Sequence, residues 1–390
     1  MCSESDSAIK YIIRLAAVLL LLAGCATAPE SEVPADTGEV APEAPSPAVE
    51  TVEVKPSIRL TVAAVGDMML GTDYPENHLP DDDGVGFLAA VAPILSSTDI
   101  TFGNLEGVLV DGGEPGKRCK NPAACYRFRS PPRYVEHFVA AGFDVMSLAN
   151  NHARDFGEDG RLATMSTLAA AGIRHSGLEG DFASFESNGL KVALIAFAVT
   201  KNSNLLLEYD QSAQTISDNA RTHDIVIVSF HGGAEGQDVM RLPFAEEEYY
   251  GEPRGDVVKF SRMMVDAGAD LVIGHGPHVV RAMERYKDRL IAYSLGNFAT
   301  YYGISVDGIK GVAPILVATM DEEGRFIEGH IHSTVQLRPD GPSVDENQKA
   351  LNLIRDLSTR DFGQPSIDFL PDGRIVPVER KRSHMRTGLF

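Results

Sequence analysis

From residue 57 to residue 335, apolar runs of strand length alternate with stretches whose apolar residues recur at helical spacing, and the polar side chains best suited to chemistry sit where the apolar runs end. Residues 57–65 (SIRLTVAAV) predict a β-branched strand that empties into Gly66-Asp67-Met68-Met69-Leu70-Gly71. Residues 87–95 carry the spacing of a short amphipathic helix, and 99–102 predict a second strand ending in Gly103-Asn104-Leu105-Glu106-Gly107. A helix at 132–141 leads through the buried run 141–146 to Ser147-Leu148-Ala149-Asn150-Asn151-His152-Ala153-Arg154-Asp155. Leu162, Met165, Leu168 and Ala169 then predict a helix over 159–171. Further strands are predicted at 190–199, 224–230, 270–273 and 290–294, with helices at 210–222 and 254–267. The last three of these strands lead into His231-Gly232-Gly233-Ala234-Glu235, Gly274-His275-Gly276-Pro277-His278 and Leu295-Gly296-Asn297-Phe298.

After residue 311 the pattern changes. Residues 312–320 and 325–335 predict antiparallel strands, 346–357 a helix, and 366–370 with 375–378 a hairpin around Pro371-Asp372-Gly373. The alternation before that point predicts an α/β fold, in which ligands bind beyond the carboxyl ends of the strands. Taken singly, each polar strand end also reads as turn or cap chemistry: Asp67 as a turn aspartate, Asn151 or Asp155 as a helix cap, His152 as a surface residue. The repetition of such ends is what favours a shared site.

The first residues stand outside this pattern. Lys10 and Arg14 precede the apolar run 15–23, too short to span a bilayer and suited to a secretory signal, and Leu22-Ala23-Gly24-Cys25 looks like a bacterial lipobox. Cys25 is then expected to be lipidated at the mature N-terminus, anchoring the chain to a membrane, the outer membrane facing the periplasm in a Gram-negative host. An unprocessed signal anchor is the alternative. Residues 26–56, rich in Pro, Ala and Glu, predict a disordered tether. In an oxidising compartment Cys119 and Cys125 are expected to form a small-loop disulfide. The expected division is therefore 1–25 signal, 26–56 tether, 57–335 the main domain and 336–390 an extension packing on it with a basic tail.

A net charge of -20 argues against nucleic acid as a partner, since phosphate binding needs clustered Lys and Arg. One segment reverses the sign. Residues 117–133 hold Lys117, Arg118, Lys120, Arg127, Arg129 and Arg133 without an acidic residue, either a funnel for an anionic small molecule or polymer or a loop balancing nearby acids.

Asp67, Glu106, Asn151, His231, His275 and His278 supply carboxylate, amide and imidazole donors, a set suited to Zn, Mn or Fe rather than calcium. One or two such divalent ions would serve hydrolysis at phosphorus, with His152 placed to protonate the leaving oxygen.

The segments GDMMLG, NLEG, YRFRSPP, SLANNHARDFG, HGGAE, GHGPHVV and YSLGNF occur in the order and spacing of the capsule-synthesis CapA family, which resembles the calcineurin-type metallophosphoesterases. The resemblance covers residues 58–320. It implies a four-layer α-β-β-α sandwich of two mixed sheets, metallo-dependent phosphatase-like. Asp67 would bind a first metal completed by His278, the Asn104/Glu106 pair would stand in the bridging position, and Asn151, His231 and His275 would hold a second. Glu235, Asn150, Asp155, Asn297, Arg127 and Arg129 are expected to orient these ligands or meet substrate. Two departures stand out: Met69 replaces the histidine of the phosphoesterase pattern and Asn104 its bridging aspartate. Gly232, where that pattern has an aromatic residue, implies a wider pocket. Two functional classes follow: a lipid-anchored metal-dependent hydrolase of the cell envelope, and a non-catalytic component of poly-γ-glutamate-type capsule synthesis or export.

Overall fold

The computed structural model describes residues 57–118 and 125–379. The expected leader with Cys25, the tether, Cys119 and the basic tail beyond residue 379 lie outside the described residues. Cys125 is disulfide-bonded.

Ten strands form the larger sheet. Its main path runs Ile367–Phe369, Arg374–Pro377, Phe326–Gln336, Val312–Asp321, Arg59–Met69, Ile100–Leu105, Val145–Ser147, Arg174–Ser176. Asn297–Thr300 joins the end of Arg59–Met69, and Pro342–Val344 joins Phe326–Gln336. The smaller sheet runs Met283–Tyr286, Arg289–Ala292, Leu271–His275, Ile225–His231, Leu190–Ala198, Ala183–Ser187, with Asn204–Leu205 beside Leu190–Ala198. Both are mixed: the smaller is parallel through the centre and antiparallel at its edges, whereas the larger is antiparallel from Ile367–Phe369 to Arg59–Met69 and parallel from there to its Arg174–Ser176 edge.

The layering follows from the pleat, because successive side chains of a strand point to opposite faces. Along Arg59–Met69, Leu60, Val62 and Ala64 share a core with Val192, Leu194, Ile227 and Val272 of the smaller sheet. Ala63, Val65 and Met68 instead pack with Val135, Phe138 and Leu168 of the helices Val135–Ala141 and Gly157–Ala170. In the smaller sheet both alternating sets of Ile225–His231 are buried, and the helices Tyr209–Ala220 and Val257–Ala267 pack on it. The order of layers is therefore helix, sheet, sheet, helix, as the family resemblance implied. Strands covered on both faces must be apolar on both, which is why these runs are continuous rather than alternating.

Several boundaries move, for local reasons. Only Ala92–Leu95 of the stretch expected at 87–95 is α-helical; the residues before it form turns closed by backbone hydrogen bonds, Phe87 N to Gly84 O, Ala89 N to Gly86 O and Val91 N to Leu88 O. The helix expected from residue 254 starts at Val257, because Arg254 belongs to the strand Glu252–Gly255 and Asp256 caps the helix, accepting from Val258 N and Lys259 N. Replacing Asp256 with alanine is expected to cost about 1 kcal/mol, seen as a lowered unfolding midpoint in urea. The helix Lys349–Phe362 packs on Val312–Asp321, Phe326–Gln336 and Met283–Tyr286.

One close approach matters for the site. Asp67 N donates to Gly296 O at 2.9 Å, and a Cβ on Gly66 would stand 2.1 Å from that same oxygen. Glycine at position 66 thus lets the first strand lie against the turn that carries Asn297.

Candidate functional site

Strand register gathers the polar ends. Asp67 pairs with Asn104 on one side and with Asn297 on the other, Asn104 pairs with Ser147 ahead of Asn150-Asn151-His152, and His231 pairs with His275 in the smaller sheet. Two contacts then join the sheets: His231 Nε2 lies 2.7 Å from Glu106 Oε1, and His275 Nε2 donates to Val65 O at 3.0 Å. Side chains separated by more than a hundred residues thereby share one buried cluster.

Ligand atoms of Asp67, Glu106 and His231 all lie within 4.8 Å of one another, and all three residues are buried. Their fit to a cation is visible in what the fold leaves unsatisfied. Glu106 Oε2, Asn151 Oδ1, His231 Nδ1 and His275 Nδ1 are buried without a hydrogen-bond partner among the described residues, and Asp67 Oδ2 has only the ionic contact with His278 Nδ1 at 3.0 Å. Orphaned polar atoms are costly in an interior unless something else satisfies them. The free lone pairs of Glu106, His231 and His275 beside the Asp67 carboxylate have the donor chemistry of a divalent-metal site. His275 stands outside the tight trio; its Nε2 carries the proton given to Val65 O, so its unpartnered Nδ1 is the nitrogen with a free lone pair.

Electrostatics divide the cluster into unlike halves. Burial pushes the Asp67 carboxyl up, but the hydrogen bond and charge of His278, with the fields of His275 and His231, outweigh it and hold Asp67 at about 2. Burial works against protonation of His278 as well, yet the charges of Glu106 and Asp67 lift it to about 10. That pair is ionic, with His278 Nδ1 3.0 Å from Asp67 Oδ2 and 3.0 Å from Asn297 Oδ1. Burial, reinforced by the charge of Asp67, raises Glu106 to about 7, whereas burial lowers His231 to about 3 and also lowers His275. The Glu106–His231 contact is consequently a hydrogen bond with a neutral imidazole rather than an ion pair. His278 adopts a left-handed backbone, φ 56°, a strain typical of functional turns, and Asn297 Nδ2 holds its carbonyl at 3.3 Å.

The asparagines serve as struts. Asn104 Nδ2 donates to Asp67 Oδ1 at 2.8 Å, while its Oδ1 accepts from Asn150 Nδ2 at 3.0 Å, so both ends of this amide are engaged in orienting neighbours. Asn150 Nδ2 also donates to Leu105 O, and its Oδ1 accepts from His152 N. Met69 is buried against Phe128 and Ile304, its sulfur accepting from Gly71 N at 3.3 Å. The thioether belongs to the packing and leaves the ligand set to its neighbours. A Cβ on Gly232 would stand 2.8 Å from Leu206 and 3.0 Å from the Arg254 carbonyl, so the close packing at this turn accounts for glycine there.

His152 donates from Nδ1 to Asp155 Oδ2 at 2.7 Å and stacks on Phe128 with ring centroids 4.3 Å apart. Asp155, fully buried, also accepts from Phe128 N at 2.7 Å and pairs with Lys117 Nζ at 3.2 Å. The basic loop is therefore largely a balanced one: Arg129 pairs with Asp73, Arg133 with Asp83, and Lys117 with Asp155. Arg127 donates twice to Lys117 O and has no acidic partner among the described residues.

Two buried arginines escaped the sequence reading. Arg281 makes a two-pronged pair with Glu247, at 2.8 and 2.7 Å, beneath the His231–Glu235 turn. Arg254 donates from Nε to Gly233 O at 2.8 Å and places Nη2 3.1 Å from Glu235 Oε1. The signal was present in the glycines: a Cβ on Gly233 would stand 2.9 Å from Arg281 Nη1, and one on Gly276 would stand 3.2 Å from Arg254 Nη2. At Gly233 the guanidinium of Arg281 fills the space, and at Gly276 the backbone of Gly232, 2.8 Å from where a Cβ would stand, fills it together with Arg254.

The family profile of bacterial capsule synthesis protein PGA_cap matches residues 61–302. Among curated relatives, the capsule biosynthesis protein CapA of Bacillus anthracis is 29% identical over 276 residues, covering 64% of this chain and 62% of the relative. The PGA biosynthesis protein CapA of Bacillus subtilis is 29% identical over 256 residues, 61% and 63% of the two chains. A probable polyglutamine synthesis accessory protein of Mycobacterium tuberculosis is 30% identical over 244 residues, 55% and 58%. The chain thus spans less than two thirds of the length of the relatives it matches. Among solved structures, a 5'-nucleotidase precursor from Thermus thermophilus is 13% identical with a TM-score of 0.41, covering 79% of this chain and 60% of that one. A purple acid phosphatase from yellow lupin is 12% identical with a TM-score of 0.35, covering 70% and 53%. Neither likeness is close enough to carry an argument about chemistry.

Proposed function

Because the chain belongs to the bacterial capsule synthesis protein PGA_cap family, we propose that it is a cell-envelope accessory protein of poly-γ-glutamate-type polymer synthesis. In this reading Asp67, Glu106 and His231 hold a divalent ion, Mn, Fe or Zn, and the site hydrolyses an anionic ester or amide. The observation that carries the reading is the buried trio with its orphaned ligand atoms. His275 and Asn151, each with an unpartnered buried atom at the cluster, are the candidates for a second set of ligands. A bound ion supplies Lewis-acid polarisation of the scissile group.

The protein's own residues account for the rest. The His278–Asp67 pair and the Asn104 strut fix the Asp67 carboxylate. Asp155 orients His152 through Nδ1, leaving Nε2 to hold the proton destined for the leaving atom. Arg127, which has no acidic partner among the described residues and donates to Lys117 O, brings positive charge to the same edge, where an anionic substrate needs it.

Metal analysis of the purified chain, followed by hydrolysis of a generic phosphodiester with and without Mn²⁺, tests this reading. Metal-dependent turnover that is lost in His152→Asn while metal content stays constant is the expected result. A chain holding no metal above background would end the hydrolase reading. A second reading, a non-catalytic polymer-binding component, draws on a specific feature: Glu106 with His231 and Asp67 with His278 also satisfy one another directly. Bound metal without turnover would favour it. Membrane anchoring through Cys25 belongs to the same proposal, and Cys25→Ser is expected to move the protein from the membrane to the soluble fraction on cell fractionation.

A further inference from the structure

Arg254 and Arg281 each leave one buried guanidinium nitrogen without a hydrogen bond among the described residues, but the counter-ion of Arg254 is the more exposed of the two, Glu235 at 18% against Glu247 at 5%. The Arg254 side chain is 3% exposed, its Nε is committed to Gly233 O, and its Nη2 is buried without a hydrogen bond of proper angle, although Glu235 Oε1 lies 3.1 Å away. Glu235 differs in kind: its side chain is 18% exposed and takes no hydrogen bond from any described residue apart from this ionic contact. A fixed guanidinium is therefore covered by a carboxylate that borders solvent. A Cβ on Gly276 would stand 3.2 Å from Nη2, so this glycine turn lies directly against the guanidinium, and His231 lies within the field of Arg254.

We propose that Arg254 is the anion-recognition residue of this site and that Glu235 is its resident counter-ion, displaced when a carboxylate of the ligand takes the same place. Two observations favour a carboxylate over a phosphate. The occupant the structure shows is itself a carboxylate, so the exchange is like for like. Asp67, Glu106 and Glu235 already crowd the region with acids, so a ligand bringing one charge per contact meets less repulsion than a dianion. The swap also explains how a -20 chain can bind an acidic ligand at all: the incoming charge replaces one already present instead of adding to it.

This inference rests on the reading of the cluster as the functional site, but not on turnover there. The test is isothermal titration of the purified, metal-containing chain with a γ-linked glutamate trimer and, separately, inorganic phosphate, with metal content measured in every sample. Glu235→Gln is expected to bind the trimer about fivefold more tightly, because the competing charge is gone, and Arg254→Gln about tenfold or more weakly. Opposite signs from two adjacent substitutions are what a merely structural ion pair would not produce. Arg254→Lys keeps the charge without the planar fork and is expected to fall between, which also carries the test if Arg254→Gln fails to fold. The proposal is overturned if the wild type does not bind the trimer, if phosphate alone binds, or if both substitutions weaken binding alike. Loss of metal with trimer affinity intact would instead count against the hydrolase reading and leave this one standing.

Discussion

Glu106→Gln is expected to empty the site of metal while the chain stays folded. The carboxyl is fully buried, gives Oε1 to His231 at 2.7 Å and leaves Oε2 without a partner. Burial and the charge of Asp67 raise it to about 7, so in the ion-free chain it is already half neutral at neutral pH. An amide of the same shape keeps the contact to His231 and removes a charge the interior disfavours. A divalent ion, by contrast, loses an anionic ligand, and affinity is expected to fall at least about a hundredfold, the upper end of what removing even an outer hydrogen-bond partner of a metal site costs. Metal per chain after dialysis is the measurement, and unchanged stoichiometry would remove Glu106 from the ligand set. The pH dependence has a definite sign. A carboxyl whose folded value lies above its unfolded one contributes stability at low pH, which is lost as pH rises from about 4.5 to about 7. Ion-free wild type is expected to lose that increment in thermal melts across this window, and Glu106→Gln is expected to lack it.

Arg281→Met is expected to be the most destabilising of these substitutions, at about 4 kcal/mol. Arg281 is fully buried and Glu247 nearly so; the carboxylate also accepts from Ala234 N at 3.0 Å, and the guanidinium reaches Ala234 O at 3.3 Å. Removing the cation strands a charge in the interior and unclamps the turn that carries His231 and Glu235. The urea midpoint should fall clearly, and the double variant Arg281→Met/Glu247→Leu should recover most of the loss, because deleting both charges spares the desolvation penalty of one left alone. A midpoint unmoved by the single substitution would show that the pair is not what holds the turn.

Much of the architecture was legible along the chain. Continuous β-branched runs such as TVAAV and DIVIVSF read as strands buried on both faces, and helical spacing lay between them. Boundaries failed where local hydrogen bonds redirected the backbone. Backbone turns ran through residues 87–91 where amphipathic spacing suggested a helix, and Asp256 capped a helix three residues after its expected start. Pattern carries burial, whereas a single side-chain-to-backbone hydrogen bond decides where an element begins.

The site divides along the same line. The identities of Asp67, Glu106, His152, His231, His275 and His278 were readable because ligand-type residues recur at strand ends, and their repetition is a one-dimensional signal. What each residue does was decided only in three dimensions. Register spent both ends of the Asn104 amide on its neighbours, put Met69 into apolar packing and tied the basic loop to Asp73, Asp83 and Asp155. Tertiary folding also brought Arg254 and Arg281 under two glycine turns, at positions where no local pattern marked them. The physical reason is range: hydrophobic periodicity is written between near neighbours, while partnering between charges and amides depends on which distant strands the sheets bring together.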